Sequence, residues 1–129
     1  MHHLNKSTTI FLLFRIGIFL TFFGHGYLAF SKEEAWISYI EVIGFSKEQA
    51  IFLLPMIGIL DIIVALIILI KPLKIVVLWA IIWAFSTALI RPVSGESIFA
   101  FIERGANWIL PLVFLLSYKN MFNQKKMIK

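Results

Sequence analysis

"LFRIGIFLTFFGHGYLAF", residues 13–30, sets an arginine and a histidine inside a run that is otherwise almost wholly apolar. A helix needs about 20 such residues to cross the hydrocarbon core of a bilayer. Counted from Thr9, the run is long enough, so the first reading is a membrane span over 9–30 that carries two ionisable side chains.

Outward from this run the pattern recurs. Further apolar runs occupy 51–70, 73–90 and about 104–118, the start of the last lying open between Ile98 and Arg104. Of 129 residues, 60% are hydrophobic and 15% charged, against about half and about a quarter in soluble domains. The expected architecture is all-α: a single integral membrane domain over 1–129, built as a four-helix bundle with a short amphipathic interfacial helix between spans one and two. "MHHLNKSTTI" puts a charge before an apolar stretch as a signal peptide would, but Arg15 interrupts that stretch, so it is read as the first span.

The connections fit this count. In "SKEEAWISYIEVIGF", Ser31 and Glu34 stand at capping-box spacing, Trp36, Ile40 and Ile43 recur at helical spacing, and Gly44 stops the pattern. "SKEQ", 46–49, repeats the capping-box spacing and opens the second span, while "KPLK", 71–74, is a tight turn. Pro55 and Pro111 fall inside spans and are expected to kink them.

Charge gives an orientation. Four spans put Lys6, Lys71, Lys74, Lys119, Lys125, Lys126 and Lys129 on one side, with no acidic residue. Lys32, Lys47, Arg91, Arg104 and every glutamate fall on the other. The positive-inside rule then assigns both termini to the cytoplasm. Because the basic residues flank apolar runs, the net charge of +5 reads as a topology signal and not as a nucleic-acid footprint. Small residues at packing spacing, Gly17, Thr21 and Gly24 in the first span and Ala80, Ala84 and Thr87 in the third, imply close helix contacts.

An ionisable side chain at the centre of an apolar helix costs on the order of 3 kcal/mol on insertion scales, so each one asks for a partner. Arg15 and Asp61 lie at similar counted depths and are expected to form a buried ion pair between the first two spans. That pair serves helix register or a cavity equally well. Near the opposite end, His25 sits between Gly24 and Gly26, which leave room for an approaching group. Thr87 and Arg91, then Glu103 and Asn107, stand at i, i+4, with Arg104 beside them. At a common depth, His25, Thr87, Arg91, Glu103, Arg104 and Asn107 form a candidate ligand pocket beneath "RPVSGES". Read singly, the same charges snorkel and pair at the interface. Trp79, Trp83 and Trp108 either line that pocket or pack.

No catalytic residue is identified. The chain has no cysteine, no HExxH, no carboxylate cluster for two metals and no phosphate loop. Neither a metal nor covalent haem is expected, and bis-histidine haem ligation is excluded because His2 and His3 precede the first span.

The arginine of the first span followed by small residues, "FRIGIFLTFFGHGYLAF", and the glycine and acid of the second, "GILDIIVALIIL" with Gly58 and Asp61, resemble the DoxX-like family of small bacterial inner-membrane proteins. Arg15 matches the family's first-span arginine, and Asp61 stands where the family tends to carry an acid. The GHG element, "TALIRP" and "ERGANW" depart from the general pattern. The resemblance implies a quinone-linked membrane component, since some relatives are membrane subunits of a thiosulfate:quinone oxidoreductase. On that reading the chain is an accessory that binds a quinone or similar amphiphile while a redox partner supplies electrons, and it is not a catalyst alone. The alternatives are a lipid or small-molecule binder, a homo-oligomeric transporter, and a structural or assembly subunit.

Overall fold

In the computed structural model residues 6–127 are described, with side chains assigned up to Tyr118. Six helices follow in order: α1 (Lys6–Phe30), α2 (Glu34–Glu41), α3 (Lys47–Ile70), α4 (Lys74–Val93), α5 (Ile98–Ile102) and α6 (Gly105–Met127). α1, α3, α4 and the segment Ile98–Tyr118 are long and apolar enough to cross a membrane. Their outward faces expose large apolar side chains such as Leu20, Phe52, Ile70 and Ile75, a surface suited to contact with lipid tails.

The helix ends are set locally. Ser46 caps α3: its hydroxyl accepts from the Gln49 N–H and the Gln49 side chain accepts from the Ser46 N–H, the reciprocal box expected from "SKEQ". The box expected at Ser31 does not form. Glu33 is the residue before α2 and makes no side-chain cap. Ser31 instead closes α1, because Lys32 takes a left-handed φ of 59° while the N–H groups of Lys32 and Glu33 bond back to Ala29 and Leu28. "KPLK" is the expected turn, with α3 ending at Ile70 and α4 starting at Lys74. The last span is interrupted: α5 stops at Ile102, and α6 restarts at Gly105.

Two antiparallel pairs make the bundle, α1 on α3 and α4 on α6. The first is drawn together by glycine. A Cβ on Gly26 would lie 2.8 Å from the Gly58 carbonyl oxygen, and one on Gly58 would lie 2.5 Å from both the Gly26 carbonyl and the Phe30 N–H. Only hydrogen fits where these backbones meet. Of the small residues singled out beforehand, Gly17 meets Leu110 of α6, whereas Gly24 faces open space. Ala80 and Ala84 are buried as expected, together with Ala88. Ile18, Phe22, Val64, Ile68, Val77 and Phe114 fill the centre.

α3 and α4 share only a thin seam. α2 closes one end of it, anchored by Ile37 and Ile40 on Ala29, Ala50 and Leu54. The glutamates gather at that end, hereafter the acidic end, and Lys71 and Lys74 mark the basic one. Lys119, Lys125 and Lys126 lie beyond the described side chains, and His2, His3 and Lys129 lie outside the described residues.

Candidate functional site

Arg15 does not meet Asp61. Its Nε donates to the Ile68 carbonyl at 3.2 Å, and its Nη2 donates to the carbonyls of Leu69 and, at 3.0 Å, Ile70. The sole ion pair among the described residues joins Arg104 to Glu103. The reason is register. The Gly26–Gly58 contact and the Arg15–Ile70 bond fix α1 against α3, which sets Asp61 about eight residues, roughly 12 Å, from the level of Arg15. The guanidinium instead satisfies the orphan carbonyls at the negative end of α3, where a cation is favoured.

Asp61 belongs to a cavity. A pocket of about 230 Å³ opens in the α3–α4 seam at the acidic end. α3 contributes Leu54, Ile57 and Asp61; α4 contributes Trp83, Ser86, Thr87, Ile90 and Arg91. α1 adds His25, and α2 roofs the pocket with Trp36, Tyr39 and Ile40, joined by Ile43 from the turn after it. Its walls are mostly apolar, so each polar group inside carries weight. A cavity of about 150 Å³ admits benzene; this one suits a single substituted ring.

Arg91 stands in the last turn of α4 and is only 8% exposed. Its Nη1 donates to the Tyr39 hydroxyl at 2.9 Å, and that hydroxyl donates to Glu96 Oε2 at 2.7 Å. Its guanidinium lies over the rings of Trp36 and Tyr39, at 5.9 and 5.1 Å from their centroids. The loop explains why Glu96 is there. Gly95 adopts a φ of 100°, so the Glu96 N–H folds back onto the Arg91 carbonyl at 3.1 Å and brings its side chain over the helix end. Burial first, then the hydrogen bond to Glu96, pushes the Tyr39 phenol above its ordinary range.

Deeper in the pocket the partners run out. Asp61 is 3% exposed, and its Oδ1 has no hydrogen-bond partner. The Trp83 indole N–H and Arg91 Nε are also buried and unpaired. The Trp83 N–H and the Asp61 carboxyl line the same pocket without a hydrogen bond between them. Thr87 and Ser86 donate their hydroxyls to the carbonyls of Ala84 and Ile82, which leaves them as acceptors toward the cavity. His25 meets the edge of Trp36, with centroids 5.5 Å apart.

Of the six residues expected here, the pocket gathers His25, Thr87 and Arg91 and leaves out Glu103, Arg104 and Asn107. Glu103 is exposed and paired with Arg104, which also donates to the Ala100 carbonyl at 2.8 Å. Glu103 and Arg104 fall in the break between α5 and α6 and Asn107 in the first turn of α6; α5 packs on α4, and α6 on α4 and α1. Nor does the GHG element open a path, because Gly26 is filled by α3 and Gly24 faces outward. Trp83 lines the pocket, whereas Trp79 stacks on Trp83 at 5.4 Å and Trp108 packs edge-on against Phe85 at 5.2 Å. Trp36, Tyr39 and Glu96 were missed. The helical spacing of Trp36 and Ile40 marked an apolar face without naming what it would cover.

Compared with protein-family models, with curated proteins and with solved structures, the chain shows no significant match. The functional reading therefore rests on the pocket itself.

Proposed function

We propose that the chain is a DoxX-like protein of the bacterial inner membrane, with both termini cytoplasmic, that binds a quinone or similar small amphiphile in the α3–α4 pocket as an accessory to quinone-linked redox metabolism. The observation that carries the reading is the convergence of three buried unpaired polar atoms, Asp61 Oδ1, Trp83 Nε1 and Arg91 Nε, on one otherwise apolar cavity. Each such atom costs roughly 1–3 kcal/mol when left unsatisfied, and a ligand with a flat ring and polar edges offsets that cost. The thin α3–α4 seam offers an apolar tail a way into the lipid. With no cysteine, the chain itself supplies no thiol redox centre, so a partner protein delivers or takes up the electrons. The charge asymmetry of the loops supports the orientation.

One observation favours a competing role as a structural or assembly subunit. Arg91, Tyr39 and Glu96 already satisfy one another in part, as residues do that only tie α2 to α4. Extraction and mass spectrometry of small molecules that copurify in mild detergent separates the two. A stoichiometric quinone present in the wild type and depleted in a folded Trp83→Phe, Asp61→Leu variant is the expected result. Bulk phospholipid alone in both preparations overturns the binding reading in favour of architecture.

A further inference from the structure

The depth of the pocket places an unpaired acceptor beside an unpaired donor. In its ionised form Asp61 Oδ1 seeks a proton donor, and the Trp83 indole N–H seeks an acceptor; both are buried and both line the cavity. The candidate ligand groups differ in what they offer. A carbonyl oxygen only accepts, so it answers Trp83 and turns its lone pairs toward the carboxylate. An ammonium only donates, so it answers Asp61 and leaves the indole unpaired. A hydroxyl donates and accepts at one atom.

Resting on the proposed binding function, we infer that the pocket selects the hydroxylated form of its ring ligand, a hydroquinone or phenol in preference to the quinone, with one hydroxyl lodged between Trp83 Nε1 and Asp61 Oδ1. The hydroxyl accepts from the indole and donates to the carboxylate. Arg91 Nε, the remaining unpaired donor, faces the other polar edge of the ring from the acidic end. The apolar side chains of Leu54, Ile57 and Ile90, which line the pocket, face the ring. The selection is one of binding alone, and no electron transfer within this chain is required.

The test uses the full-length protein in mild detergent and two probes that differ only in redox state: a decyl-substituted 1,4-benzoquinone and its hydroquinone, kept reduced under argon. Binding is followed by titration calorimetry at alkaline pH, where the Asp61 carboxyl is an acceptor only. The wild type is expected to bind the hydroquinone at least about tenfold more tightly, the equivalent of one hydrogen bond to a charged group. Asp61→Asn keeps the shape but gains an amide N–H₂ that donates to a carbonyl, so the preference should vanish or invert. Trp83→Phe removes a donor that serves either form, so both affinities should fall by a similar factor with their ratio retained. Equal binding of the two forms in the wild type, or a ratio unmoved by Asp61→Asn, overturns the selection and leaves the pocket as a ring-binding site. Binding of neither form overturns the proposed binding function as well.

Discussion

The molecule has two seams on α3, and each holds an arginine near one of its ends. Along α1 the seam is closed: glycine meets glycine, and Arg15 spends its donors on the carbonyls of the last turn of α3. Along α4 the seam is thin, and Arg91 keeps one nitrogen unpaired beside an unpaired acid and indole. A charge in an apolar helix is therefore not yet a site. What separates the two arginines is the accounting of their buried donors: no buried Arg15 nitrogen lacks a partner, while Arg91 Nε does, and a buried donor left unpaired leaves chemistry available for a ligand.

The closed seam is the place to break the contrast hardest. Gly58→Ala sets a methyl group against two backbone atoms that have no flexible end to give way. Thermal unfolding in detergent should show a loss of more than about 3 kcal/mol, or no folded protein at all. Gly24→Ala is the matched control. Nothing lies within 4 Å of its added Cβ, so it should gain ~0.5 kcal/mol of helix stability. Equal losses from the two would remove glycine contact as the reason for the tight seam.

A smaller loss is expected at the arginine of the same seam. Arg15→Gln surrenders hydrogen bonds to the end of α3 and should cost about 2 kcal/mol. A double-mutant cycle with Asp61→Asn should be additive within about 0.5 kcal/mol, as for residues without a shared partner. A coupling well beyond that restores the ion pair that the observed register excludes.

On the open seam the sign should reverse. Asp61→Leu removes an unpaired buried carboxyl oxygen and should stabilise the fold by about 1 kcal/mol, because unsatisfied polar groups are often kept for function at the expense of stability. The same change should abolish hydroquinone binding. Destabilisation by Asp61→Leu would instead mark the carboxylate as part of the structural framework.

These contrasts show what was legible beforehand. The four long apolar segments, the cap at Ser46 and the turn at 71–74 were readable because length, composition and local capping chemistry determine them. His25, Thr87 and Arg91 were readable as a group because residue count gives height along the bundle. Height is not direction around the bundle, however. Glu103, in the break before α6, and Asn107, on α6, share the height of the pocket but do not line it, and nothing in one sequence orders helices around an axis. The partner of Arg15 was hidden for another reason: main-chain carbonyls leave no mark in the residue string. Ser31 misled because Lys32, with no glycine to mark the stop, takes the left-handed position that glycine usually fills.

The smallest effect concerns the lock at the rim of the open seam. Arg15 is held by carbonyls that do not titrate, whereas Arg91 is held through a phenol that does. Burial and the Glu96 hydrogen bond raise the Tyr39 phenol above its ordinary value of about 10, against the opposing pull of Arg91. The folded chain then holds that proton more tightly than the unfolded one. Its stabilisation is complete below the ordinary value and is lost as pH climbs through the raised folded-state value. The stability difference between wild type and Tyr39→Phe should accordingly stay flat through neutral pH and shrink only above about pH 10. Because this contact is exposed to solvent, the change should be slight in global unfolding and clearer in hydrogen exchange of α2. Loosening confined to α2, with α1 and α3 unchanged, follows if the roof is tied through Tyr39. Simultaneous loosening of all three helices would mean that the two seams unfold as one unit and that the roof has no separate hold on the pocket.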